Sequence, residues 1–491
     1  MNSKRILSLL AAVAVLPLAS CSGLKSSSVC TTNCTTGNAT LNITMYDTPP
    51  TGVDILSFTL PIVGISLTPS TGSPVAVTTA VSSVEATRLQ TDSALIVDAF
   101  SVAAGSYTTL SVTLGPTSAT SNVFINTSGS TITWSGGSCP NNAVCNLPAG
   151  AVFTVAIPLT LTLSANQTQW IGLNLNLANA ITATGGLSVD FSKTNVLTAV
   201  TKPRIGLPTG ASDTVEDFVG VVTAYSSGSS ITVQSGTSGQ KITAALNSST
   251  EYDTQLSNGY NNCVASTAQG CIAVGSTVSL DAVLNANGTL TATEVDVLDA
   301  KAVDEVEGVI YPTSTLNVFG LVLADKVSTS GNAVLGATTT TYGTVILLNV
   351  SSVSNPVIDL KTLANSGFTP PPFTVAGLLA GQQIRAQVSN VLSTSSGITA
   401  TASNVLLRFS RITGPVAVAS GTAFTITPPS YISTLDSALP PPLTAYTFTT
   451  GTVFDGITGA SGITASSTVS IRALFFDSTL PTFAVAKVRV P

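Results

Sequence analysis

The chain has 491 residues, enough for two to four domains, of which 44% are hydrophobic, 8% charged and 5% aromatic, with a formal net charge of −6. Soluble chains are about 25% charged, so hydroxyl side chains rather than ions must keep this one in solution. The acidic balance excludes a basic nucleic-acid surface, and the absence of histidine excludes Ser-His-Asp and Cys-His nucleophiles, His-ligated zinc and histidine pH switching.

Residues 1–20 read as an export signal, with Lys4 and Arg5 ahead of an apolar run from Ile6 to Leu18 that is too short to span a bilayer as a helix. Leu18-Ala19-Ser20-Cys21 resembles the lipobox of bacterial lipoproteins, which implies cleavage before Cys21 and acylation of its thiol and new amino group. Several acyl chains on one residue exceed the two signals that stable anchoring needs. Ser22 after the cysteine implies, by the same resemblance, the outer membrane of a Gram-negative cell. Residues 21–37 are then a flexible tether, and the expected partner is the membrane itself.

The other six cysteines fall as close couples, Cys30 with Cys34, Cys139 with Cys145 and Cys263 with Cys271. Proximity favours three local disulfides, which an oxidising envelope would preserve. Each would contribute roughly 2 to 3 kcal/mol by closing a loop in the unfolded chain. A four-cysteine metal site is the rival, but the couples lie in different modules.

Beyond the leader, apolar segments are short, β-branched and punctuated by Gly, Asn, Ser and Pro, and Leu41 to Met45 and Ser229 to Gln234 alternate with period two. The chain is predicted to be all-β, with at most a short helical piece at Val84 to Leu89. Residues 38–208 have the length of one β-sandwich and end in the Pro- and Gly-containing segment Lys202 to Gly210. The strand and turn Ala39 to Pro49, with Asp47-Thr48-Pro49, resemble the opening of an uncharacterised domain family common in bacterial lipoproteins. Ile55 to Leu67, the Gly105-Ser106-Tyr107 hairpin and the Leu187 to Phe191 strand resemble its later segments. The family is grouped loosely with carbohydrate-binding-like sandwiches and implies no catalytic residues.

Three tandem modules follow, at 216–300, 304–409 and 410–491. Their openings superpose: Phe218-Val219-Gly220-Val221-Val222, Val306-Glu307-Gly308-Val309-Ile310 and Ile412-Thr413-Gly414-Pro415-Val416. Each closes on a pair of strands across a turn, and about five strands per module predict small OB-like Greek-key barrels. The modules resemble an unannotated family of secreted bacterial β-barrels, most clearly in the first copy.

Candidate chemistry is sparse. Ser238-Gly239-Gln240-Lys241 fits Ser-x-x-Lys but lies on a hairpin turn without companion motifs, so it reads as a solvated turn. Asp47, Asp98 and Asp190 stand at strand ends, and Asp47 is expected to cap its own turn. Trp134, beside the Cys139 loop, is the candidate sugar-stacking residue, whereas Trp170 reads as a buried strand residue. Charge is divided: Asp213 to Glu307 holds 12 acidic and 2 basic residues, and Gly308 to Pro491 holds 5 acidic and 8 basic. Asp296, Asp299, Asp304, Glu305 and Glu307 form a candidate Ca²⁺ site at a module junction, where hard oxygen ligands would stiffen the tandem. The alternatives are a solvated acidic linker or packing against the basic third module. The expected function is that of a lipid-anchored, non-enzymatic envelope protein acting as an extended display or adhesion stalk, with an envelope protein as partner. A carbohydrate-binding lipoprotein of a glycan-uptake system is the alternative.

Overall fold

The computed structural model describes residues 37–50, 52–235, 239–253, 268–298, 303–395, 397–436, 439–477 and 482–490. Strands dominate, and Thr35 to Pro491 form one compact unit.

The N-terminal sandwich packs two sheets face to face. One has Asn38–Thr48 at its centre, paired parallel with Thr168–Asn176 and antiparallel with Ala94–Ala103. The other runs through Phe153–Leu163, Gly105–Leu114 and Thr59–Pro69. Leu41, Ile43 and Met45 enter the core between them, joined by Leu110, Val112 and Ile171. The opposite face of the first strand carries Asn42, Thr44 and Tyr46, and these too are buried. Period-two alternation is therefore present, but both faces are covered. The predicted helical piece at 84–89 is instead a short strand, Ser83–Glu85, followed by the 3-10 turn Arg88–Gln90. The β-branched Val84 pairs with Leu60 at a sheet edge, which competes with helix there.

The three modules share one topology. In the first, Ala211–Ser226, Ser230–Gln234 and Lys241–Ala245 form a meander. Thr277–Asn285 pairs with the first strand and forms a hairpin with Leu290–Val297, which returns parallel to the third strand. The second module repeats this order with Asp304–Pro312, Val318–Val327, Val345–Asn349, Gln383–Thr394 and Gly397–Arg408. The third repeats it with Ser410–Ser420, Ala423–Ile426, Leu443–Thr447, Thr468–Phe475 and Phe483–Arg489. A three-stranded meander closed by a parallel pairing of strands three and five is the OB-like Greek-key arrangement. The first strand of module one begins at Ala211, five residues before the sequence boundary, because it continues across a bulge between Val215 and Phe218.

The repeated glycines have a steric cause. A Cβ at Gly220, Gly308 or Gly414 would lie 2.4, 2.1 or 1.9 Å from the carbonyl oxygen of Gln234 or Val322 on the second strand, or of Thr427 just after it. The first strand thus bends between its two neighbours at the one place where only glycine fits.

The modules do not string into a stalk. Their fourth strands turn outward-facing residues toward one another around a shared interior. Asp213 of module one is bonded to Thr44 and Ser93 of the sandwich, and Arg204, just beyond the sandwich, is paired with Asp455 of module three. The tandem is closed up because the faces expected to meet water meet protein.

Candidate functional site

Along Thr277–Asn285, Val278, Leu280 and Ala282 fill the barrel while Ser279 and Asp281 point away from it, yet all are buried. The same alternation sets Arg385 and Gln387 outward from Ile384 and Ala386, and Arg472 outward from Ile471 and Ala473. These outward rows meet, and they bring the chain's scarce charges into a central hub.

Asp217 stands at its middle. Its carboxylate lies 2.9 Å from Arg408, 2.6 Å from Arg411, 3.2 Å from Arg472 and 3.5 Å from Lys361. Its carbonyl accepts from Arg88 and its amide donates to Asp281 at 2.6 Å. Burial would raise this carboxyl, but Arg472, Lys361, Arg408 and Arg411 together hold it well below the usual range. Lys361 also reaches Asp281, Glu294 and Asp296 at 3.3, 3.5 and 3.2 Å. Around these, Arg385 is bound by Glu305 and Glu307, Arg472 and Lys487 by Glu216, and Arg489 by Asp455. Arg88 pairs with Asp325, and Arg411 donates through Nε to Asp92 at 3.0 Å. Module one supplies carboxylates to the hub, module two supplies both signs, and module three supplies cations together with the Asp455 carboxylate. Asp296, Glu305 and Glu307 of the acidic junction are buried against module two, on Lys361, Arg385 and Arg408, while Glu216 and Asp217 of the earlier junction meet Arg472 of module three.

Of the five carboxylates singled out for Ca²⁺, the four that are described do not converge. Asp296 lies on Lys361, Glu305 and Glu307 share Arg385, and Asp304 accepts from the Thr329 and Ser330 amides at 2.9 Å each. Asp299 lies outside the described residues. Among the described residues no group of three His, Cys, Asp or Glu side chains gathers as a metal site.

Cys139 and Cys145 form a disulfide, with Cys139 in the sandwich core. Cys271 is also disulfide-bonded, and its expected partner Cys263 lies outside the described residues, as do Cys21, Cys30 and Cys34. Trp134 is half-buried: its ring packs edge-on against Phe124 at 6.1 Å and lies where a Cβ on Gly137 would be. Trp170 is buried, as expected of a strand residue, but its ring packs with the core of module one and its indole donates to Thr44 at 3.0 Å. Ser238 lies outside the described residues, and Lys241 is exposed on its strand. Asp98 is exposed, and Asp190 has an exposed carboxylate that accepts from Ser192.

Asp47 does more than cap its own turn. It is 1% exposed and accepts the Leu177 amide at 3.4 Å, fixing the start of the short helix Leu177–Ala180. It lines a cleft of about 570 Å³ between the sandwich and module three, together with Val53, Asp54, Arg411, Pro415 and Tyr431. No sequence signal pointed to this cleft, because its walls come from residues more than 300 positions apart.

Residues 219–296 match the family described as Domain of unknown function (DUF5666), wholly within module one. No curated protein matches the chain. Among solved structures, the chain is similar to one titled "drosophila Unr CSD456" at 8% identity, with a TM-score of 0.12, covering 56% of this chain and 96% of that one.

Proposed function

We propose that this protein is a lipid-anchored, non-enzymatic component of the bacterial cell envelope, held by Cys21 and presenting a rigid four-module body in a structural or display role. The observation that carries the reading is the hub. Nine of the 17 basic residues, Arg88, Arg204, Lys361, Arg385, Arg408, Arg411, Arg472, Lys487 and Arg489, are consumed in ion pairs that join modules to one another or brace them from within. Groups committed to one another in this way serve shape rather than turnover. The lipobox-like Leu18 to Cys21 and the tether of residues 21–37 support the anchoring half of the reading.

The test is fractionation of cells that make the chain or its Cys21→Ser variant, followed by protease shaving of intact cells with mass spectrometry. Release of the variant into the soluble fraction is the expected result, with peptides shaved from the surface if the body is displayed. A variant that stays on the membrane with its leader uncleaved overturns the anchor.

A further inference from the structure

The carboxylates of the hub have cations within reach; three beside the cleft do not. Asp47 Oδ2 is buried without a hydrogen-bond partner among the described residues. Asp54 accepts from the Thr127 and Ser430 hydroxyls at 2.8 Å each and from the Tyr431 amide at 3.0 Å, none of them a cation. Glu85 accepts from the Phe58 amide at 2.7 Å and from Thr87, a residue of the cleft wall, at 2.8 Å. Arg411, the cation in that wall, is already bound by Asp92 and Asp217. A buried carboxyl with an unused oxygen is costly, and such orphans are rare unless something outside the chain completes them.

We propose that this cleft binds a primary ammonium carried on a short apolar body, with Asp47 Oδ2 accepting from the ammonium and Val53, Ile55, Pro415, Pro429 and Tyr431 covering the remainder. The volume of about 570 Å³ lies within the range of small-molecule sites. The lining favours a cation over an anion, since Asp47 and Asp54 in the wall have no ion-pair partner among the described residues and the Arg411 charge is spent. Burial raises Asp47 well above the usual carboxyl range, which disfavours its charged form. An ammonium beside it favours the charged form again, so binding shifts proton from the carboxyl toward solvent. The other charged groups about it are Asp54 and Arg411 in the wall and Glu85 behind Thr87.

The test is calorimetric titration of the full chain with benzylamine and n-butylamine, alongside the neutral benzyl alcohol and 1-butanol, in two buffers of different ionisation heat. The amines should bind saturably and release a proton, with the alcohols weaker by about tenfold or more. Asp47→Asn should lower amine affinity by about tenfold or more. Thr468→Trp, which places a ring at the exposed rim and leaves Asp47 intact, should also weaken amine binding, and it carries the test if Asp47→Asn fails to fold. No amine binding, equal binding of amine and alcohol, or an unchanged amine affinity in the folded Asp47→Asn or Thr468→Trp chain would overturn the proposal.

Discussion

Asp217→Asn isolates the charge at the centre of the hub. Asp217 has φ +51°, a left-handed conformation that Asn tolerates as well as Asp, so the change removes a charge without backbone strain. Four cations then lose a common counter-ion. Removing one partner of a buried pair costs about 3 to 5 kcal/mol, because the remaining charge is left uncompensated. Each cation here keeps a second carboxylate: Asp359 for Arg408, Asp92 for Arg411, Glu216 for Arg472 and Asp296 for Lys361. The expected loss is therefore at the lower end, about 3 kcal/mol. Unfolding entropy of about 2.1 cal/mol/K per residue over the roughly 450 residues of the body converts this to a fall of about 3 °C in the thermal midpoint. Differential scanning calorimetry at neutral pH reads it directly. The difference should persist at about 1 M NaCl, since buried pairs are poorly screened. Asp190→Asn, which removes an exposed partner of Lys193, should leave the midpoint unchanged. An Asp217→Asn chain that melts with the parent, or a difference that high salt abolishes, would refute the account of the hub as buried and structural.

Gly308→Ala should destabilise by about 1 to 3 kcal/mol in denaturant titration, because the new Cβ would collide with the Val322 carbonyl, whereas Gly270→Ala, with open space around it, should not. Replacing Cys139 and Cys145 together by Ser should cost about 2 kcal/mol by the same titration, and non-reducing peptide mapping of the parent should recover the two joined. The third concerns pH. Burial, together with Asp92 across a shared hydrogen bond, raises Glu216 to about 7 from its usual 4.5; burial would raise Asp92 too, but Arg411, Arg472, the Glu216 hydrogen bond and Lys487 together hold it at about 2 against its usual 3.8. The folded chain keeps a proton on Glu216 that the unfolded chain has lost, so this group's contribution falls as pH rises from about 4.5 to about 7. The contribution of Asp92 is present above about 3.8 and is lost as pH falls toward about 2. Melts from pH 3 to 8 should therefore show Glu216→Gln flattening the decline above about pH 4.5. An unchanged slope would remove Glu216 from the hub's titration.

The strands, the three repeated openings and the Cys139–Cys145 bond were legible because each is local: a two-residue period, a glycine at a fixed place, two cysteines six positions apart. The hub was not, for a definite reason. A strand such as Thr468–Phe475 reads as alternating apolar and polar whether its polar row, with Ser470 and Arg472, meets water or another module. Alternation assigns a residue to a face; it does not say what covers that face. The division of charge between the first and last modules was visible in the sequence, and its meaning turned on distance in space, which sequence separation concealed: Asp217 and Arg472 are 255 positions apart in the chain and in contact at 3.2 Å. Asp47 shows the same limit. Its turn was readable, but the cleft it lines is completed by Pro415 and Tyr431 from the far end of the chain.

The division of charge among the modules also bears on how a nascent chain reaches this state. Synthesis delivers Asp213, Glu216, Asp217 and Asp281 well before Arg411, Arg472, Lys487 and Arg489 emerge. Asp213 meets the sandwich and Asp281 meets Lys361 of module two, but Glu216 and part of the Asp217 carboxylate lack their cations until the C-terminal strands arrive. Docking of the last roughly 80 residues thus acts as a completeness check, since a prematurely terminated copy presents an open acidic face instead of a closed body. Such truncated products differ from the finished protein in charge that only the intact chain conceals, and that exposed face opens them to proteolysis.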